Sequence, residues 1–284
     1  MTLSAPRSRS LTLSLLFVSS PTMSSSDSAI TKTLWAARIP LLITHASSAS
    51  GLPFVTSVPR FSYLALILPR LSAFFACPCS SFHFEDVQLR NLPVGLLVDL
   101  YQPEELPFRL MVSDGLAWDM SDTFLNSAKE ADFVRYGTAK QMMKMSKEQT
   151  TQLWQSVVDN DLRSFAQVHA WLLNAPAALQ HVPLRVYIPD SNGEQFRIVQ
   201  TLVPATGPPP PAATAAGGGR TGTGNVTLGQ ALKNMMPRLF PSSRDPVLAG
   251  VVMHGAAVPF GAPLVELMRE AAYPDGWLCL VVRV

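Results

Sequence analysis

The chain has 284 residues, enough for two or three small domains that each bury a core. Hydrophobic residues make up 48% and charged residues 15%, the composition of a mostly globular protein with large apolar surfaces that suit partners. Net charge is +2 with acids and bases interspersed, which excludes the basic footprint of a nucleic-acid binder.

Residues 1–30 read as a disordered or targeting tail. Residues 1–26 contain no acid, carry Arg7 and Arg9, and hold the short apolar run Leu11 to Val18 among serines. A transit or weak signal segment, a disordered tail and a later start at Met23 are all open readings. No apolar run approaches the roughly 18 residues of a membrane span, so the chain is expected to be soluble or peripheral. The cysteines are Cys77, Cys79 and Cys279, an odd number without a disulfide framework, which fits a reducing cytosolic setting. Cys77-Pro78-Cys79 with His83 lacks a fourth ligand for a metal, so free thiols are expected there. Cys279 lies in the apolar run WLCLVVRV and reads as strand packing.

Leu34 to Ile39 reads as a helix stub running into a strand, Pro40 to His45, and Leu52 to Val58 is a second strand after a serine-rich turn. Phe61 to Phe75 is apolar at mixed spacing and long enough for a buried helix, which Pro69 must kink or interrupt. Phe82 to Glu85 is a third strand, Pro93 opens the helix PVGLLVDLY, and LPFRLMVS is a further strand. The same order returns later. Val182 to Ile188 and Phe196 to Val203 form a hairpin about Ser191-Asn192-Gly193, followed by helix Thr227 to Leu239, strand Val247 to His254, helix Pro263 to Ala271 and strand Trp277 to Val284. A mixed sheet crossed by a helix is the β-grasp arrangement of ubiquitin. His254 reads as a strand end or turn. Residues 206–224, TGPPPPAATAAGGGRTGTG, are a low-complexity insertion dispensable for the fold.

Between the two modules, residues 121–174 are helical. Ser121 or Asp122 can cap the first helix and Gly137 can end it, setting Phe124, Leu125, Ala128 and Ala131 inward and Lys129 outward. Only six residues are lysine, so an amine on a rigid element draws notice, although an exposed helix lysine is the ordinary case. Ser146 and Gln149 form a capping-box pattern, and Leu162, Phe165, His169 and Leu172 share a face, which makes His169 a satisfied core histidine. No phosphate loop, Gly-x-Ser-x-Gly, paired histidine ligands or convincing Cys/His pair is present, so an enzyme with its own active site is disfavoured.

Trp35-Ala-Ala-Arg38-Ile39-Pro40, Pro59-Arg60-Phe61-Ser62-Tyr63-Leu64, the run Pro93 to Leu100, Ala128-Lys129-Glu130-Ala131-Asp132, Leu153-Trp154, Met253-His254-Gly255 and Tyr273-Pro274-Asp275 occur in this order. Together they resemble the autophagy protein 5 family, from about residue 31 to the C-terminus. The resemblance implies an α+β fold with two ubiquitin-like β-grasp domains, 31–115 and 181–284, flanking a helix-rich domain, 121–176. It implies that Lys129 accepts the ubiquitin-like autophagy protein 12 through an isopeptide bond made by conjugating enzymes. It implies that Trp35, Arg38 and Ile39 belong to a groove for the autophagy protein 16 helix, although Trp35 and Ile39 as core with Arg38 beside them is an equal reading. The conjugate would act like a ubiquitin ligase, promoting lipidation of autophagy protein 8 without a catalytic residue, metal or cofactor of its own, in the cytoplasm and peripherally at the preautophagosomal membrane. Glu130 and Asp132, next to Lys129, would favour its charged form, so the enzymes are expected to assist deprotonation. A non-conjugated ubiquitin-like adaptor that binds a partner helix is the alternative, and an enzyme using Cys77 or Cys79 is a third class. The segment Ala76 to Ser81 is shorter than the family's and contains the unusual Cys-Pro-Cys.

Overall fold

The computed structural model describes residues 28–47, 51–115, 119–190, 195–207 and 224–284. The apolar run Leu11 to Val18, the turn Ser191-Asn192-Gly193 and residues 208–223 of the insertion lie outside them. The first element is α1 (Ala29–Ala36), capped by Ser28, whose side chain accepts from Ile30 N. Residues 28–30, assigned to the tail by sequence, therefore form a helix start. The helix stops before Arg38 because Pro40 restricts Ile39 to extended backbone, and the strand β1 (Arg38–His45) begins there.

In the first module β1 pairs antiparallel with β2 (Phe54–Pro59) and parallel with β5 (Phe108–Ser113). The hairpin β3 (Ser81–Phe84) and β4 (Val87–Gln88) completes a sheet of order β2-β1-β5-β3-β4. Alternate residues Ile39, Leu41 and Ile43 of β1 and Phe108, Leu110 and Val112 of β5 are buried, as period-two side-chain placement requires of a sheet with one covered face. They pack on Leu71 and Phe75 of α2 (Leu68–Phe75) and Val94 and Leu97 of α3 (Val94–Tyr101). Pro69 does not kink a helix over 61–75. It sits in the first turn of α2, where its missing N–H costs nothing, after a 3₁₀ turn at Leu64–Ile67.

The second module opens with β6 (His181–Val182) and the hairpin β7 (Leu184–Pro189) and β8 (Phe196–Gln200). Short strands β9 (Val203–Pro204), β10 (Thr206–Gly207) and β11 (Gly224–Asn225) lead to α8 (Leu228–Met235), followed by β12 (Gly250–Met253), β13 (Ala256–Ala257), α9 (Leu264–Ala271) and β14 (Leu278–Arg283). Its sheet order, β13-β12-β14-β7-β8, is that of the first module read from the other end. Both modules are ubiquitin-like. The two-residue strands β4 and β13 are too short for a periodic sequence signal.

Between them run α4 (Met120–Tyr136), α5 (Lys140–Met143), α6 (Lys147–Val158) and α7 (Leu162–Leu173). Asp119, two positions before Ser121 and three before Asp122, the expected caps, caps α4 by accepting from Asp122 N at 3.1 Å, and Gly137 ends it at φ 68°. The capping box of α6 is complete, Ser146 and Gln149 each accepting from the other's backbone N–H. A hydrophobic core containing Trp35, Phe61, Phe124, Leu153, Phe165, Tyr273 and Trp277 draws on all three parts of the chain, so they share one interior. Helix α1 packs on α9 of the second module, with Thr31 Oγ1 donating to Glu270 O at 2.9 Å. No helix among the described residues is long and apolar enough to cross a membrane.

Candidate functional site

Lys129 lies in the middle of α4 and is exposed, while Phe124, Ala128 and Ala131 face the core. Among the described residues no hydrogen bond or ion pair engages its amine. The two neighbouring carboxylates, expected to favour its charged form, have their own partners elsewhere. Glu130 Oε2 accepts from Arg185 Nη2 at 2.8 Å, and Asp132 is fully buried with Oδ2 accepting from Met142 N at 3.2 Å. Helical rotation explains the divergence, because successive side chains point about 100° apart.

The face of α4 next to Lys129 is held by the turn between α9 and β14. Ser127 Oγ donates to Asp275 Oδ2 at 2.8 Å and accepts from Arg185 Nη1 at 3.2 Å. Trp277 Nε1 donates to Ser127 O at 3.0 Å, and Arg135 Nη2 donates to Gly276 O at 2.9 Å. The Arg185 guanidinium stacks 3.9 Å from the Trp277 ring centroid. The turn itself is closed by Gly276 N to Tyr273 O and Tyr273 N to Trp277 O. Burial pushes the Asp275 carboxyl above its ordinary range, opposed by the Arg185 charge and by hydrogen bonds from Ser127 and Trp277 N. Sequence reading listed Tyr273-Pro274-Asp275 without a role and missed Ser127 and Arg185. The available signal was Gly276, a turn glycine at φ +87° just after Asp275.

The three residues expected at a helix groove are separated by the fold. Trp35, 5% exposed, packs on Phe61 and Phe165 at ring distances of 5.5 and 4.8 Å, and Ile39, also 5% exposed, belongs to the first module's core. Arg38 is exposed and donates to Ser57. Trp35 also lines a crevice with Thr31, Phe61, Leu162, Phe165 and Met268, where all three parts of the chain meet. Asn160 Nδ2 donates to Trp35 O at 3.1 Å.

A second polar junction joins the ubiquitin-like modules. Arg60 Nη2 pairs with the buried Asp99 Oδ1 at 2.7 Å, and Arg60 Nε donates to His254 Nδ1 at 3.2 Å. Because arginine only donates, His254 carries its proton on Nε2, which donates to Ala271 O at 2.8 Å. Burial, aided by the Arg60 charge, lowers the His254 pKa to about 3. His254 does occupy a turn, at φ 55°, and it also ties the modules together. His169 is buried and stacked on Phe165, but among the described residues its Nε2 has no hydrogen-bond partner, so it is core without being satisfied there. Burial and the Arg135 charge lower its pKa to about 3.

Cys79 is buried with Sγ donating to Cys77 O, and His83 Nε2 lies 3.1 and 3.2 Å from Ser81 and Ser113 Oγ. Among the described residues no three His, Cys, Asp or Glu side chains gather as they would around a metal ion. Cys279 is packed within β14, and burial raises its pKa.

Three family models match the chain: "Autophagy protein ATG5, UblA domain" over 34–113, the "alpha-helical bundle region" over 119–175 and the "UblB domain" over 181–282. Autophagy-related protein 5 of Gibberella zeae is 60% identical over 267 residues, covering 91% of this chain and 99% of the relative. That of Beauveria bassiana is 57% identical, with coverages of 90% and 98%, and autophagy protein 5 of Aspergillus clavatus is 41% identical, with coverages of 90% and 97%. The crystal structure of Kluyveromyces marxianus Atg5 superposes with a TM-score of 0.67 at 19% identity, covering 89% of this chain and 99% of that one. With two ubiquitin-like modules and a helical bundle matched in order, the chain belongs to the autophagy protein 5 family.

Proposed function

We propose that this chain is a non-catalytic autophagy scaffold whose Lys129 accepts a ubiquitin-like modifier, autophagy protein 12, through an isopeptide bond. The observation that carries the reading is the exposed amine of Lys129 on a helix fixed against the second ubiquitin-like module. The neutral amine attacks the thioester carbonyl at the modifier's C-terminal glycine. An amide C–N bond forms, the C–S bond breaks, the conjugating enzyme's cysteine leaves as thiolate, and the ammonium proton passes to a base of that enzyme or to water.

In the same reading the autophagy protein 16 helix seats at the crevice lined by Trp35, with Arg38 exposed on the neighbouring β1 and Ile39 apart from it in the first module's core. In this reading the assembled conjugate aligns the lipidation machinery for autophagy protein 8 at the preautophagosomal membrane and supplies no reacting group itself. Expression with the modifier and its enzymes tests the acceptor role. The wild-type chain gains the modifier's mass and Lys129→Arg does not; an adduct persisting on Lys129→Arg would leave the non-conjugated adaptor as the better reading.

A further inference from the structure

We infer that Arg185 and the Tyr273–Trp277 turn of the second ubiquitin-like module form a clamp that positions α4 for modification, with Ser127 and Glu130 as the positioning residues on the helix. The inference rests on Lys129 being the acceptor. The clamp brackets that residue: Ser127 lies two positions before it, Glu130 one after it, and Arg135 less than two turns beyond. Five hydrogen bonds tie these residues to the second module: Ser127 Oγ to Asp275, Arg185 Nη1 to Ser127 Oγ, Trp277 Nε1 to Ser127 O, Arg185 Nη2 to Glu130, and Arg135 to Gly276 O. Attachments on both sides of Lys129 oppose rotation of α4 about its axis as well as sliding along it.

The Ser127 hydroxyl is the hub because it donates to Asp275 and accepts from Arg185 at once. Glu130 is largely exposed, so its ion pair with Arg185 adds little stability and serves orientation. A lysine amine on four flexible methylenes has no fixed place of its own. The clamp supplies a fixed origin for it, and misplacing a reacting group by about 1 Å can cost up to about a hundredfold in rate. The second ubiquitin-like module, distant in sequence, thereby takes part in modification of the helical domain.

Single-turnover conjugation of the full chain, measured against the concentration of modifier-charged conjugating enzyme, tests this. Ser127→Ala is expected to lower the maximal rate about tenfold with the half-saturating concentration unchanged. Ser127→Thr, which keeps the hydroxyl, restores the rate, and Glu130→Gln lowers it about twofold to threefold. Amide exchange at 125–131 rises in Ser127→Ala and not in Ser127→Thr. A wild-type rate for Ser127→Ala, a loss that Ser127→Thr fails to restore, or an effect confined to half-saturation would overturn the clamp while Lys129→Arg stays unmodified. Modification persisting on Lys129→Arg would overturn the acceptor reading, and the clamp's role with it.

Discussion

Gly276→Ala probes the contact that locks α4 to the second module. A Cβ built there stands 2.1 Å from Arg135 Nη2, 3.0 Å from Cζ and 3.2 Å from Ala131 Cβ, and the backbone φ of +87° is one that L side chains rarely adopt. The backbone term costs about 1–2 kcal/mol. Displacing the guanidinium breaks the Arg135 bond to Gly276 O in a site where Arg135 is 2% exposed and its Nε already lacks a partner among the described residues, adding about 2–3 kcal/mol. The total of roughly 3–5 kcal/mol lowers the calorimetric midpoint by roughly 6–15 °C for a chain of this size. Arg135→Met replaces the guanidinium with a flexible thioether, so in that background Gly276→Ala retains only the backbone cost, about 1–2 kcal/mol. A loss below about 1 kcal/mol in the wild-type background, or equal losses in both, would refute the assignment of this contact.

Acid destabilisation should depend on His169. Its folded pKa of about 3 lies below its ordinary 6.5, so the unfolded chain binds more protons between those values. This share of stability is complete above about pH 6.5 and is lost as pH falls toward 3, amounting to about 2 kcal/mol at pH 5. Burial raises the carboxyls of Asp99, Asp132 and Asp275, which act in the opposite sense, so the measurement is Tm of His169→Phe against wild type at matched pH. The variant should lose less stability between pH 7 and 5, with the His254 share remaining; parallel profiles would remove His169 from the account. Gly207 and Gly224 are paired across β10 and β11, so replacing 208–223 with an Asn-Gly turn should leave Tm unchanged or higher. A fall of more than about 3 °C, roughly 1 kcal/mol, would mean those residues support the second module.

Local chemistry is enough to place most elements. The strand over Pro40 to His45, the Ser146–Gln149 capping box, Gly137 as a helix end and the apolar faces of α4 and α7 are all read correctly from the sequence, because caps and periodicity act within a few residues. Helix and strand boundaries near Pro40 and Pro69 are less legible, since each proline acts through its position in the element. Lys129 is visible as an outward amine, and its exposure follows from the α4 pattern alone.

What surrounds Lys129 is set by tertiary structure. Ser127 and Asp275 are 148 positions apart, and Arg60 and His254 are 194 apart, distances over which no local pattern carries information. The same holds for Trp35, which shares a motif with Arg38 and Ile39 but is buried in a different core from Ile39. The sequence by itself determined two β-grasp modules, a helical bundle and an amine facing outward from it, because these follow from turn chemistry and side-chain period. Only the packing of the two modules around one shared core decided which buried carboxylates and arginines meet, and therefore what grips the helix that carries Lys129.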